Sequence, residues 1–156
     1  MVWGGRLFNR DEIRSGKAKP NSVSGFCEGL YLGQEIGDPD MPDQFLNHSC
    51  DPNLWMTDEV TLVARRNIKP GDEITADYAM WEIDSDWRMD NVCNCGALLC
   101  RGMITGEDWR LKEIQMRYAG HFLPLINKRI VAINASDVTQ GREDVRTAGL
   151  ARPRPL

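Results

Sequence analysis

The chain has 156 residues, of which 42% are hydrophobic and 27% charged, as expected for one soluble globular domain. Its net charge is -4 and its pI is about 5.2. This balance argues against a nucleic-acid partner bound by broad phosphate neutralisation, and it suits a basic protein segment. No apolar run reaches the roughly 18 residues of a membrane span, and the N-terminus lacks the apolar core of a signal peptide. We therefore expect a cytoplasmic protein whose thiols stay reduced and which binds no membrane.

The first half of the chain predicts short strands joined by loops. Near its start, a strand leads into a helical turn, with Asn9 as the N-cap and Glu12 at the third helical position. Gly29 and Gly33 flank a short apolar strand. A loop rich in Gly, Pro and Asp follows over residues 34–44.

The middle of the chain gives the clearest strand signal. Apolar residues alternate with other side chains over 54–66, which predicts a strand. Residues 69–72 read Lys-Pro-Gly-Asp, a turn sequence, and 74–78 predicts a second strand. We therefore expect a hairpin over 59–78.

The spacing of apolar residues becomes helical after residue 105. Trp109, Leu111, Ile114 and Tyr118 fall on one helix face, and Gly120 is placed to end this helix. A second amphipathic piece covers 121–130, and the polar stretch after it predicts a disordered tail over 132–156.

The cysteine spacing is typical of a metal site. The chain has five cysteines, an odd number, which disfavours a disulfide framework. Cys93, Cys95 and Cys100 form C-x-C-x4-C, and Cys50 can supply the fourth ligand of a tetrahedral zinc site. Four thiolates leave no open position for water, so this zinc would be structural. The alternative is a set of unrelated buried cysteines, an interpretation that we favour only for Cys27.

Three motifs in a fixed order carry a resemblance to a known family. They are NHSCDPN at 47–53, GDEITADY at 71–78, and CNCG at 93–96 followed by CRG at 100–102. Together they resemble the SET-domain family of protein-lysine methyltransferases followed by a cysteine-rich post-SET segment. The continuation over 104–122 is similar to bacterial-type members. The resemblance is strong over 43–131 and weak over 1–42.

The resemblance implies a fold, a reaction and a set of site residues. The fold would be mostly β, with a knot-like threading and C-terminal helices. S-adenosyl-L-methionine would be the methyl donor, held by Asn47, His48 and Tyr78, and Tyr78 would be the catalytic residue. A protein substrate would present the target lysine. The implied zinc ligands are Cys50, Cys93, Cys95 and Cys100.

Further residues are candidates for the walls of the site. Aromatic side chains can hold a methylated cation, and the candidates are Trp55, Trp81 and Trp87. The post-SET segment of the family covers the cofactor and one side of the lysine channel. Its candidate wall residues here are Leu98, Leu99 and Trp109.

The resemblance also divides the chain. A SET domain is expected over 1–92, a post-SET zinc segment over 93–103, a helical segment over 104–131 and the tail beyond it. Only 46 residues precede Asn47, and none of them reads as the family's Gly-x-Gly cofactor motif. The sequence therefore predicts a SET domain truncated at its N-terminus. Ala76 stands where the family usually has an aromatic residue, so the degree of methylation stays open.

Three functions follow in order of preference. The first is transfer of methyl groups from S-adenosylmethionine to lysine side chains of a protein. The second is a catalytically inactive, zinc-stabilised SET remnant that binds a protein partner. The third, a nucleic-acid-binding zinc module, is disfavoured by the acidic balance and by the absence of a basic cluster beside the cysteines.

Overall fold

The computed structural model describes the backbone of residues 1–148 and the side chains of residues 1–136. Small sheets dominate the fold, and helices gather towards the C-terminus, so the predicted mostly β fold with C-terminal helices is confirmed. The strands are β1 (Arg6–Asn9), β2 (Ser24–Cys27), β3 (Leu30–Gly33), β4 (Asn47–His48), β5 (Leu54–Met56), β6 (Leu62–Ala64) and β7 (Thr75–Ala76). The helices are α1 (Arg10–Arg14), α2 (Lys112–Arg117) and α3 (Pro124–Ala148).

An antiparallel three-stranded sheet, in the order β1-β3-β2, forms the N-terminal layer. The predicted strand-to-helix step is confirmed, because Asn9 and Glu12 form a capping box at the start of α1. The predicted strand between Gly29 and Gly33 is β3, the central strand of this sheet. Gly25 in β2 lies so close to Trp81 that a Cβ would stand 2.5 Å from the Trp81 carbonyl oxygen. This contact joins the sheet to the segment that follows Tyr78.

The predicted hairpin over 59–78 is wrong. The carboxylate of Asp58 accepts the backbone N–H groups of Val60 and Thr61 at 2.9 and 2.8 Å, which turns the chain inside the predicted strand. The two halves, β5 and β6, therefore pair with each other in an antiparallel hairpin.

The second predicted strand pairs elsewhere. β7 runs parallel to β4, with Asn47 opposite Thr75 and His48 opposite Ala76. The side chain of Asn53 stabilises this arrangement: it donates to the Glu73 carbonyl at 2.8 Å and accepts from the Thr75 N–H at 2.9 Å. Residues 47–50, which comprise β4 and the bend that follows it (the 47–50 turn), are thus adjacent to the segment leading to Tyr78.

Two apolar clusters hold these pieces together. The larger cluster lies between the sheets and the helices and includes Trp3, Trp81, Trp109 and Tyr118. The smaller cluster is built on Cys50, Cys93 and Ile104. The chain therefore has a main core and a separate cysteine-rich lobe beside it.

The C-terminal helices differ in extent from the prediction. Residues Asp108–Arg110 form a 3-10 turn, and Leu111, which was expected on the apolar face, is instead 39% exposed at the start of α2. Helix α3 continues to Ala148, through the first part of the segment for which we predicted a disordered tail. Residues 149–156 of that predicted tail lie outside the described residues. Within residues 1–148, no helix combines the length and apolarity needed to cross a bilayer.

Candidate functional site

A cleft of about 810 Å³ opens where the β4–β7 pair meets the segment after Tyr78. Asn47, His48 and Tyr78, which the sequence singled out, all line this cleft. Trp3, Trp81 and Trp87 give it an aromatic wall. The cleft therefore combines the polar residues of the 47–50 turn with flat apolar surfaces.

His48 is fixed in one orientation by two hydrogen bonds. The backbone N–H of Tyr78 donates to its Nδ1 at 3.2 Å, and its Nε2 lies 3.3 Å from Sγ of Cys50. Because Nδ1 accepts, the proton of the neutral ring lies on Nε2 and is donated to the sulfur. Burial lowers the pKa of His48, against the opposing charge of Asp77, so the ring is neutral at pH 7. The 3.7 Å approach of Asp77 is therefore not an ion pair at that pH.

Tyr78 lines the cleft, and its hydroxyl is anchored by one hydrogen bond. The hydroxyl donates to the Leu46 carbonyl at 2.8 Å. Burial raises the pKa of the phenol, so it stays protonated. The rings of Trp81 and Trp87 lie 5.3 and 6.0 Å from the Tyr78 ring, centroid to centroid. The result is a neutral, oriented hydroxyl among aromatic faces.

Asn47 lies at the edge of the cleft. Its side chain is exposed and donates to Oε1 of Glu73 at 2.7 Å. This bond uses the amide nitrogen of Asn47, so its amide oxygen can accept a hydrogen bond from a ligand. Ala76 is fully buried in β7, so it contacts the core and is not among the residues lining the cleft.

The structure brings the four predicted thiols together at one end of the cleft. The Sγ atoms of Cys50, Cys93, Cys95 and Cys100 all lie within 4.8 Å of one another. A tetrahedral zinc–sulfur site with bonds of about 2.3 Å needs sulfur atoms about 3.8 Å apart. The donor set and its spacing therefore fit a zinc ion. Cys27 lies apart in β2, as a half-buried free thiol.

The thiols are in unequal environments. Burial raises the pKa of the Cys50 thiol. Burial also raises the pKa of Cys93, to about 11. For Cys95, burial is outweighed by backbone N–H groups of Cys50 and Ala97 and by the neighbouring thiols, which lower its pKa to about 6. Four thiolates at this spacing repel one another, and a divalent cation would relieve that repulsion.

A buried ion-pair network connects the cysteine lobe to the cleft. The guanidinium of Arg101 donates to both carboxylate oxygens of Asp77 at 2.7 Å, and its Nε donates to Asp108 at 2.7 Å. The hydroxyl of Tyr118 donates to Asp77 at 3.1 Å. Asp77 is fully buried and immediately precedes Tyr78. The network therefore fixes the backbone from which Tyr78 projects.

The sequence alone did not predict this network. Asp77 lies in the motif at 71–78 and Arg101 in the motif at 100–102, but nothing in their spacing predicts an ion pair between them. The available signal was an acidic residue directly after the apolar Ala76, which on burial needs a cationic partner.

Other predicted wall residues lie elsewhere. Trp55 stacks on His121 with ring centroids 3.5 Å apart, away from the cleft. Trp109 is buried in the main core. Leu98 and Leu99 are 99% and 63% exposed and are not among the residues lining the cleft. Of the aromatic candidates, Trp81 and Trp87 are the two that line it.

Part of the chain matches a known domain family. Residues 8–79 match the family model described as SET domain, a stretch that includes Asn47, His48, Cys50 and Tyr78. Cys93, Cys95 and Cys100 lie beyond it.

Similar relatives are described as histone-lysine N-methyltransferases. SUV39H2 of Homo sapiens is 37% identical over 82 residues, which cover 38% of this chain and 20% of that protein. The ash1 protein of Drosophila melanogaster is 33% identical over 94 residues, covering 55% of this chain and 4% of that protein. The chain thus spans about a fifth or less of the length of these relatives. Residues 8–79 match the SET domain, and the chain is similar to histone-lysine methyltransferases.

Proposed function

We propose that the protein transfers methyl groups from S-adenosyl-L-methionine to lysine side chains of a protein substrate. The observation that carries this proposal is the placement of Tyr78. Its protonated hydroxyl, anchored to the Leu46 carbonyl, lies in an aromatic cleft together with His48 of the 47–50 turn. The match of residues 8–79 to the SET domain and the similarity to histone-lysine methyltransferases support it.

The reaction needs little covalent help from the protein. S-adenosylmethionine would supply an activated methyl group. The lysine nitrogen, having first released its proton to solvent, would form a bond to the methyl carbon as the carbon–sulfur bond breaks, with S-adenosylhomocysteine as the leaving group. Orientation of two reactants can supply about 7–11 kcal/mol of such a barrier. The Tyr78 hydroxyl and the Leu46 carbonyl would orient the amine, and the aromatic walls would exclude water.

The cleft also favours the neutral amine that the reaction requires. Free lysine has a pKa near 10.4 and is almost fully charged at pH 7. Desolvation between Tyr78, Trp81 and Trp87 would lower this pKa, because burial disfavours the charged form. A protonated Tyr78 adds no negative charge that would oppose this effect.

A structural zinc held by Cys50, Cys93, Cys95 and Cys100 completes the proposal. Its four thiolates would leave no open position, so the ion would fix the fold of a post-SET segment and would not take part in the transfer. Cys93 and Cys95 line the cleft, and an ordered lobe would therefore form one of its walls.

Transfer of radiolabelled methyl groups tests the proposal. Core histones are the first substrate to use, since the similar proteins are histone-lysine methyltransferases. We expect labelled methyllysine with the natural chain and at least a hundredfold lower rate, on the order of a lost catalytic group, with Tyr78→Phe. Tyr31→Phe is the control, because Tyr31 lies outside the cleft and, like Tyr78, has a hydrogen-bonded hydroxyl, which accepts from Arg10 at 3.1 Å.

Calorimetric titration with S-adenosylmethionine separates the proposal from the inactive remnant. A specific binding heat is expected for the natural chain and for the Tyr31→Phe control. No binding heat would favour a protein-binding module, and full transfer activity of Tyr78→Phe would exclude the catalytic role of that hydroxyl.

A further inference from the structure

A buried carboxylate in the wall of the cleft is unused by the proposed reaction. Glu82 is 8% exposed and lines the same cleft as Tyr78 and Trp81. Its Oε1 accepts the Asp84 N–H at 2.9 Å. Among side chains as far as residue 136, no Lys, Arg or His forms an ion pair with it. A buried carboxylate without a cation is costly, and the position of this one in the wall of a cleft indicates a role in binding.

The backbone that carries Glu82 is held firmly on both sides. A Cβ on Gly25 would stand 2.5 Å from the Trp81 carbonyl oxygen, and one on Gly106 would stand 1.8 Å from that of Asp84. The Glu82 N–H donates to the Tyr78 carbonyl at 2.9 Å. The backbone of segment 81–84 is therefore closely packed against Gly25 and Gly106, which fixes the position from which Glu82 projects.

The surrounding charges favour a cation. The cleft is lined by four carboxylates, and Arg88 is the one Lys or Arg among its described lining residues. The carboxylates are Asp43, Glu73, Glu82 and Asp90. Arg10 lies near Glu82 but pairs with Asp84 at 3.2 Å. The Glu82 carboxyl group is thus left without a cation of its own chain among the described residues, and a cationic ligand would favour its ionised form.

We propose that Glu82 is a specificity-determining residue that pairs with a second cationic side chain of the substrate, distinct from the target lysine. This inference rests on the proposed function. A carboxylate paired with the target amine would raise its pKa and oppose attack, so the target belongs at Tyr78. A second cation from the same basic segment would pair with Glu82 while its stem lies on the ring of Trp81.

Peptide binding without cofactor tests the proposal. One fluorescent nonapeptide carries a central lysine flanked by two arginines, and the other carries citrulline, a neutral analogue of similar shape, in place of both arginines. We expect the natural chain to bind the arginine peptide at least tenfold more tightly than the citrulline peptide, on the order of one charged hydrogen bond. Glu82→Gln should reduce this ratio to about threefold or less, while circular dichroism shows an unchanged fold.

A matched variant separates local pairing from overall charge. Asp90→Asn removes one negative charge from the same cleft at an exposed position and should leave at least half of the ratio, since exposed charges contribute little. Equal ratios for the natural chain and Glu82→Gln would overturn the proposal. So would a loss of S-adenosylmethionine affinity in Glu82→Gln with the peptide ratio retained, because Glu82 would then serve the cofactor. Failure of the proposed function would give a different result: the chain would still prefer the arginine peptide to the citrulline peptide but would transfer no methyl groups.

Discussion

Replacing Glu82 by glutamine should stabilise the protein at pH 8 and leave it nearly unchanged at pH 4. Burial, helped by the charge of Asp84, raises the pKa of Glu82 from 4.5 to about 7. Hydrogen bonds from the backbone of Asp84 and Ile83 and the charge of Arg10 act in the opposite direction and are weaker in sum. The carboxylate is therefore most costly to the fold when it is ionised.

The magnitude follows from linkage. Between pH 4.5 and 7 the folded chain keeps a proton that the unfolded chain has released, so the free energy of unfolding falls as the pH rises. Above pH 7 the whole cost is present, about 3 kcal/mol for a shift of this size at about 1.4 kcal/mol for each pKa unit. Glutamine stays neutral at every pH, and its amide oxygen can still accept the Asp84 N–H.

Urea denaturation followed by tryptophan fluorescence at pH 4, 6 and 8 measures this difference. The variant should gain up to about 3 kcal/mol at pH 8, with the gain vanishing towards pH 4. The control Asp90→Asn, at an exposed position, should change the free energy of unfolding by less than about 0.5 kcal/mol at each pH. An equal or lower stability of Glu82→Gln at pH 8 would refute the argument, because the ionised carboxylate would then be stabilised within the fold.

Three further predictions concern the lobe and its contacts. Arg101→Ala leaves the fully buried Asp77 without its cation and should cost about 3–5 kcal/mol in urea denaturation; a loss below 1 kcal/mol would contradict the buried network. Gly106→Ala should lower the free energy of unfolding by about 1–3 kcal/mol, because the new Cβ would stand 1.8 Å from the Asp84 carbonyl oxygen. Unchanged stability would mean that segment 81–84 is free to shift. Chelation at neutral pH should release a single zinc ion per chain, measured by mass spectrometry, and lower the melting temperature; a metal-free chain with the same melting temperature would argue against the structural role.

The cysteine cluster was predictable because its signal needs no knowledge of the fold. C-x-C-x4-C already brings Cys93, Cys95 and Cys100 close in sequence, and a tetrahedral metal requires a fourth ligand. Cys50 was the available candidate once Cys27 had been set aside, and the structure places its sulfur beside the other three. The requirement of a tetrahedral metal for four ligands was therefore enough to predict the cluster without knowledge of the fold.

Strand pairing was less predictable, because the alternation of apolar and other residues identifies a strand but not the strand with which it pairs. The turn sequence at 69–72 predicted an antiparallel hairpin between the strands on either side of it, yet β7 pairs in parallel with β4. The deciding contacts are hydrogen bonds to side chains. The Asp58 carboxylate accepts backbone N–H groups of the turn before β6, and the Asn53 amide oxygen accepts the Thr75 N–H of β7. Asp and Asn form such bonds in many turns, so the sequence alone does not show which ones form.

Cys50 connects the cysteine lobe to Tyr78 by two separate routes. In the first, its sulfur accepts from Nε2 of His48, whose Nδ1 accepts the N–H of Tyr78. In the second, the same sulfur accepts the N–H of Arg101, whose guanidinium holds the carboxylate of Asp77, the residue before Tyr78. A thiolate is a stronger acceptor than a thiol, and metal binding would keep this sulfur ionised, so both routes should strengthen with the metal. A metal-free chain that remains folded should therefore hold its Tyr78 hydroxyl less firmly, and methyl transfer should fall before the fold is lost.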